Sequence, residues 1–501
     1  MSVSLLRVTV VVHRWLGIVF GLLFLAWFAS GIVMMYARMP ELPAGEIARR
    51  AKALDLAAIR VSPADVAAEV EGTVNRVQLT MFRTRPVYRL ETDGAGSGRA
   101  IGAGSGRALR ACNVIFADDA QLLPTVDAET SLAVVRELFP EHASAMRYDT
   151  PLVDADQWTM GQRTQMPLHR IAAGDSEDTY FYVAACTGDV VMRTTASERR
   201  WAYPGAVLHW LYFMPFRRNA ALWNQSIIWL SGLGCVMCVA GLVWGVSVAR
   251  KSPYSGLMKW HHYAGLIFGA AALTWVFSGL LSMGPFLGNG SQPTRAQRER
   301  VAGGPLDVSA LTTESLRATA AALAAKAGHG GLKEIQSQQF QGELYLLGGG
   351  HIASVVHAER GAYERFAPDV IERAARDAMP GIAVEDETWL TAYDNYYYAR
   401  DADLSLPVLR VRFADPDRTW LYLDARRGVI ARREDRRSRI ERWLYHGLHS
   451  FDFPFLYARR PLWDVVMIVL SVGGMVLSAT TLLPGWRRLR RHSGVLLRRF
   501  T

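Results

Sequence analysis

The chain has 501 residues, enough for several domains, and half of them are apolar. Lys and Arg outnumber Asp and Glu by 56 to 46, a formal charge of +10. The excess reads as a membrane-surface signature, and nothing in the chain resembles a nucleic-acid-binding module.

Taken in order, residues 1–12 are a short basic lead, followed by the first of four stretches without formal charge: 15–37, 219–249, 263–294 and 465–486. Each can cross a hydrocarbon core of about 30 Å, which takes roughly 20 helical residues. Backbone in lipid must satisfy its own hydrogen bonds, so the expected spans are helices near 13–36, 223–247, 261–286 and 463–485. The first is too long for a signal-peptide core, and no small-residue cleavage site follows it.

Residues 37–200 are soluble in character, with an early helical part at 44–73 and alternating strand-like runs NRVQLTMF and PVYRLET. A Gly-rich loop follows at 94–108. Next come an amphipathic helix at 131–139 and strands at 166–172, 178–185 and 189–194. The region 287–440 repeats the plan, with helices at 313–327 and 367–378. Its strands are expected near 333–337, 342–347, 353–357, 407–413, 418–424 and 428–432.

Topology follows from the short basic segments. Arg250, Lys251 and Lys259 lie between spans two and three, and Arg487, Arg488, Arg490, Arg491, Arg498 and Arg499 in the tail, which places both cytoplasmically. The soluble regions are then extracytoplasmic. Arg217-Arg218 and Arg459-Arg460 adjoin long translocated segments, where the rule is weak, and suit lipid headgroups or haem propionates. Cys235 and Cys238 read as small packing residues inside span two. Cys112 and Cys186 are compatible with a disulfide or with two free thiols.

The chain also repeats itself. HRWLGIVFGLLFLAWFASG at 13–31 matches HHYAGLIFGAAALTWVFSG at 261–279, with His13 on His261 and Trp27 on Trp275 at an offset of 248. At an offset of 240, Pro167 falls on Pro407, Arg170 on Arg410, His209 on His449 and Trp223 on Trp463. The reading is an internal two-fold repeat with an axis along the membrane normal. That axis sets His13 beside His261 near one face and His209 beside His449 near the other. Two imidazoles facing across a bundle suit axial ligation of a haem iron. His262 and His446 have no histidine mate and stand as alternates to His261 and His449. Zinc is the weaker reading, because no duplicated Cys or acid accompanies the pairs.

The runs TAYDNYYYARDADLSLPVLRVRFADPDRTWLYLDARRGVI, RWLYHGLHSFDF and RPLWDVVMIVL, with HRWLGIVFG and HHYAGLIFG, resemble the PepSY-associated transmembrane family over nearly the full chain. The resemblance implies a four-span α-helical membrane bundle carrying two extracytoplasmic α+β PepSY-like domains. It implies domain boundaries at 1–36, 37–200, 201–248, 249–260, 261–286, 287–440, 441–485 and 486–501. It further implies a bacterial inner-membrane oxidoreductase holding haem b, two groups per chain, on His13, His261, His209 and His449. Electrons would pass from a cytoplasmic donor to a periplasmic acceptor, a ferric siderophore releasing Fe(II). Tyr393, Asp394, Tyr396, Tyr397 and Tyr398 form an aromatic-acidic cluster that is a candidate substrate surface or a packing element, with Tyr148-Asp149 a partial counterpart. The alternative function is a PepSY-based binding or regulatory membrane protein without redox activity. A transporter is disfavoured, since the spans carry no broken mid-membrane segment.

Overall fold

The computed structural model describes residues 3–43, 45–92, 112–284, 292–328, 330–398 and 404–500, with side chains from 6 to 491. The 94–108 loop, His329 and the side chains of His492, Arg498 and Arg499 lie outside the described residues. Two compact units emerge: Met1–Met39, Ser197–Asn289 and Arg437–Thr501 form one, and Pro40–Ala196 with Gly290–Arg436 the other.

The first unit is built on four long helices, α1 (Val3–Met34), α2 (Ala220–Ser247), α3 (Gly256–Leu281) and α4 (Leu462–Phe500). All four are long and apolar enough to cross a membrane, over Leu6–Met34, Ala220–Ser247, Gly256–Leu281 and Leu462–Arg491. α1 packs on α2 and α4, and α3 packs on the same two, which closes a four-helix ring. Its outer surface is apolar too: Val19 and Ile267 are 70% and 69% exposed. Water would make such a surface unfavourable and lipid would not. Inside, Phe20, Phe24 and Phe28 of α1 pack with Met237 and Cys238 of α2 and with Ala272 and Val276 of α3. Cys235 and Cys238 are not bonded to each other.

The second unit contains fourteen described strands: β1 (Val74–Phe82), β2 (Arg85–Thr92), β3 (Val114–Phe116), β4 (Arg147–Leu152), β5 (Leu168–Ala172), β6 (Tyr180–Ala184) and β7 (Val190–Thr194). From the later segment come β8 (Ile335–Phe340), β9 (Glu343–Gly348), β10 (His351–Ser354), β11 (Val384–Leu390), β12 (Val408–Phe413), β13 (Trp420–Asp424) and β14 (Val429–Glu434). β4-β5-β6-β7 and β11-β12-β13-β14 are antiparallel meanders, each local to one segment. The third sheet runs β10-β9-β8-β1-β2-β3 and draws on both.

The soluble regions 37–200 and 287–440, expected as separate domains, therefore share a sheet. They also share a core, in which Ile59, Val77 and Leu79 pack with Leu316, Leu323 and Ile335. The early helical part at 44–73 reduces to Glu46–Arg50, a single 3₁₀ turn and Pro63–Ala68, the last opened by a reciprocal Ser62/Asp65 cap. Cys112 and Cys186 are bonded, with Cα atoms 5.5 Å apart.

Candidate functional site

His13 on α1 and His261 on α3 face each other, ring centroids 6.0 Å apart. His13 Nδ1 lies 2.9 Å from the Met237 carbonyl and His261 Nδ1 lies 3.0 Å from the Leu477 carbonyl. A carbonyl only accepts, so each Nδ1 carries the proton and each Nε2 keeps its lone pair. The backbone approach that allows this depends on a bare α-carbon, since a Cβ on Gly241 would stand 2.4 Å from the His13 ring.

The second pair is built on a different element. The chain entering α2 passes through a π-helical turn, Tyr203–Val207, and the chain before α4 through another, Arg442–Gly447. Such turns recur at functional sites. His209 and His449 follow them, and each segment then leaves helical geometry at a left-handed residue, Leu211 (φ 52°) and Phe451 (φ 47°). The two imidazoles end with centroids 6.1 Å apart. Ser30 Oγ lies 3.1 Å from His209 Nδ1, and Ser278 Oγ lies 3.0 Å from His449 Nδ1. Each serine proton is committed to a carbonyl one turn earlier, that of Trp27 or Trp275, so the serine oxygen receives the imidazole N–H. Gly31 and Gly279 leave ordinary contact distance to the two rings.

The alternates separate cleanly. His262 is buried, its Nδ1 is 2.9 Å from Ser252 Oγ, and its Nε2 is 3.0 Å from the Gly245 carbonyl. Both nitrogens are thus engaged, and His261 rather than His262 faces His13. His446 packs its ring on Tyr445, while His449 is the residue opposite His209.

A cavity of about 660 Å³ opens around the first pair, within the range of cofactor sites. His13, His261, Gly17, Gly241 and Gly265 line it, together with Arg14, Arg487, Arg488 and Arg491. The lining is mostly apolar, carries these four arginines and contains no carboxylate. Each His pair brings two imidazoles together across the bundle at about 6 Å between centroids, where they could serve as the two protein ligands of a haem iron, and the arginines suit a carboxylate-bearing group. The residues present therefore fit a haem. Among the described residues, no three His, Cys, Asp or Glu side chains cluster as a larger metal site would require.

Comparison with protein-family models and with curated proteins returns no match for this chain.

The Tyr393–Tyr398 cluster lies in the other unit. Asp394 Oδ1 accepts from the backbone N–H of Tyr396 and Tyr397, at 2.8 and 2.6 Å. Its Oδ2 accepts from Arg410 Nη1 at 3.1 Å and from the Tyr422 hydroxyl at 3.0 Å. Tyr397 is wholly buried and stacks on Tyr422 with centroids 5.2 Å apart. Burial, with the Asp394 charge second, pushes the Tyr422 hydroxyl far above its ordinary pKa. Tyr396 sets its edge against Trp420, and the exposed Tyr393 donates to the Leu404 carbonyl. Asp394 and Tyr397 thus act as packing elements, which leaves Tyr393 as the exposed aromatic of this group. Tyr148 and Asp149 are similarly engaged, with His169 at 3.0 Å and Arg170 at 2.5 Å.

The serines behind His209 and His449 were missed from sequence. A signal was present, since Ser30-Gly31 and Ser278-Gly279 close the repeated motif.

Proposed function

We propose that the chain is a membrane-embedded haem b protein that passes electrons across the membrane to an external ferric chelate. It would belong with the PepSY-associated transmembrane proteins and be built as an internal two-fold repeat. The observation that carries this reading is the double His pair, each imidazole engaged through Nδ1 by a backbone carbonyl or a serine hydroxyl. His13 and His261 would hold one group, and His209 and His449 the other. When bound, haem supplies one-electron transfer.

The protein's own contributions are positional. The carbonyls of Met237 and Leu477, and the hydroxyls of Ser30 and Ser278, fix each imidazole tautomer and raise its basicity as a ligand. Phe24, Phe28 and Trp275 pack the interior and keep water out of it. Arg14, Arg487, Arg488 and Arg491 offer charge to carboxylates at the mouth of the first site. In the proposed orientation that site lies near the cytoplasmic face of a bacterial inner membrane, and the α+β unit is periplasmic. A siderophore complex is the acceptor class with the clearest use for this chemistry. Fe(II) is softer than Fe(III) and binds hard oxygen donors less tightly, so reduction would release the metal.

Oxidised and dithionite-reduced spectra of the detergent-purified protein, with a pyridine haemochrome count, test the proposal. The expected stoichiometry is about two b-type haems per chain, falling to about one in His13→Ala and in His449→Ala. A colourless protein from haem-replete cells would sink the redox reading and leave a binding or regulatory membrane protein.

A further inference from the structure

Each half of the helical unit carries an Arg–Trp stack at the His209/His449 end, on arginines that are not repeat mates, and the two differ in how the arginine charge is met. In the second half, Arg460 lies over the Trp463 ring at 4.4 Å and its Nη1 reaches Asp464 at 2.6 Å. Asp464 also accepts from the Tyr36 hydroxyl at 3.2 Å. In the first half, Arg217 lies over Trp223 at 4.5 Å and over Tyr212 at 5.0 Å. Trp223 is itself fixed by an indole N–H bond to the Trp210 carbonyl at 3.0 Å. The residue after Trp223 is Asn224, where Asp464 follows Trp463. No carboxylate or hydrogen-bond acceptor meets Arg217 among the described residues.

Arg217 Nε and Nη1 are buried without an acceptor, as is Asn224 Oδ1. The two aromatic rings flank the guanidinium, and Arg217 as a whole is half-buried. Arg218 beside it is exposed, and so are Phe213 and Leu222. A fixed cation, a second free one and exposed apolar side chains on one rim match a phospholipid, whose phosphate meets the arginines and whose acyl chains meet the apolar residues.

We propose that Arg217, clamped by Tyr212 and Trp223, is the headgroup site for one anionic phospholipid, whereas the stacked arginine of the second half, Arg460, is neutralised by Asp464. The site rests on the bundle being embedded in lipid and does not depend on haem. Neutralisation differs between the halves, so binding at this end is one-sided.

The test is native mass spectrometry of the full chain in detergent, titrated with dioleoyl phosphatidylglycerol and with dioleoyl phosphatidylcholine. Expected is one phosphatidylglycerol per wild-type chain held at least tenfold more tightly than phosphatidylcholine. That preference should be lost in Arg217→Gln and kept in Arg460→Gln. Arg217→Lys, which keeps the charge at this position, should retain most of the preference. Equal phosphatidylglycerol binding in wild type and Arg217→Gln would overturn the site. So would displacement of the lipid by millimolar inorganic phosphate, which would make the cage a free-anion site. Recovery of the chain from the aqueous phase of a detergent partition would instead defeat the membrane reading on which the site depends.

Discussion

A histidine is readied as a ligand when one nitrogen is held, and in the two His pairs the groups that hold Nδ1 are two serine hydroxyls and two backbone carbonyls. The serines offer the cleaner experiment, because a side chain can be removed and a carbonyl cannot. Ser30→Ala and Ser278→Ala each delete one hydrogen bond to an imidazole, a loss of about 1 kcal/mol to the fold. The effect on a bound metal is larger, because losing such a partner typically costs 10- to 100-fold in affinity. If the two pairs hold haem as proposed, Ser30→Ala should release it from the His209/His449 site alone, read as a fall in haemochrome count with the other site still reducible. The resonance Raman signature of the remaining bis-histidine group should not move. A Ser30→Thr variant, which restores the hydroxyl, should recover much of the loss. Uniform bleaching of both sites would mean that the serine supports the bundle and not the ligand.

At the scale of elements, the long helices were legible because runs of more than 20 uncharged residues have few other uses, and the expected spans differ from the observed ones chiefly at their ends. His13 and His261 were legible as mates because a constant offset carries the motif from one helix to the other. Less could be read where geometry departs from periodicity. β3, β4 and β11 went unpredicted: β3 is only three residues long, and β4 and β11 are edge strands with no buried residue, so neither shows an apolar alternation. The second shell of His262 was likewise invisible, since Gly245 and Ser252 show no pattern that names a hydrogen-bond partner. The glycines in the helices acquire meaning only in three dimensions. Gly474 on α4 receives the Phe28 ring from α1, and a Cβ there would stand 2.6 Å from it. Overpacking of this kind costs typically 1–3 kcal/mol. Gly474→Val should thus lower the melting temperature of the detergent-solubilised protein, whereas the same change at Gly232, where a Cβ meets open space, should cost far less. Equal losses at both positions would show that helix propensity, and not the Phe28 notch, governs the effect.

On the scale of the whole molecule, the sheet that joins the two soluble segments could not be read from sequence, because local periodicity marks strands and is silent about which distant strand each one meets. β1 pairs with β8 through Gln78–Gln336 and Leu79–Ile335, and Ser337 Oγ accepts the Val77 N–H at 2.9 Å. In the chain, α2 and α3 lie between the two partners, so the α+β unit closes only after the later segment has been made. The energetics of a half are unfavourable. Residues 40–196 alone would lose Leu311, Leu316, Leu323, Leu332, Ile335, Leu344 and Leu346 from a shared core. Each buried aliphatic side chain contributes about 1.5–3 kcal/mol, so the sum is on the order of 10–20 kcal/mol. A domain's entire margin is about 5–15 kcal/mol. The Cys112–Cys186 bond closes a loop of 74 residues within this half, and such a closure contributes about 4 kcal/mol, too little to make up the loss. The fragment 40–196, expressed alone in an oxidising compartment, should therefore show no cooperative urea transition by circular dichroism. It should acquire one when co-expressed with 290–436. A sharp transition in the isolated fragment would mean that each segment carries a sufficient core of its own, and that the shared sheet is a docking contact between two finished domains.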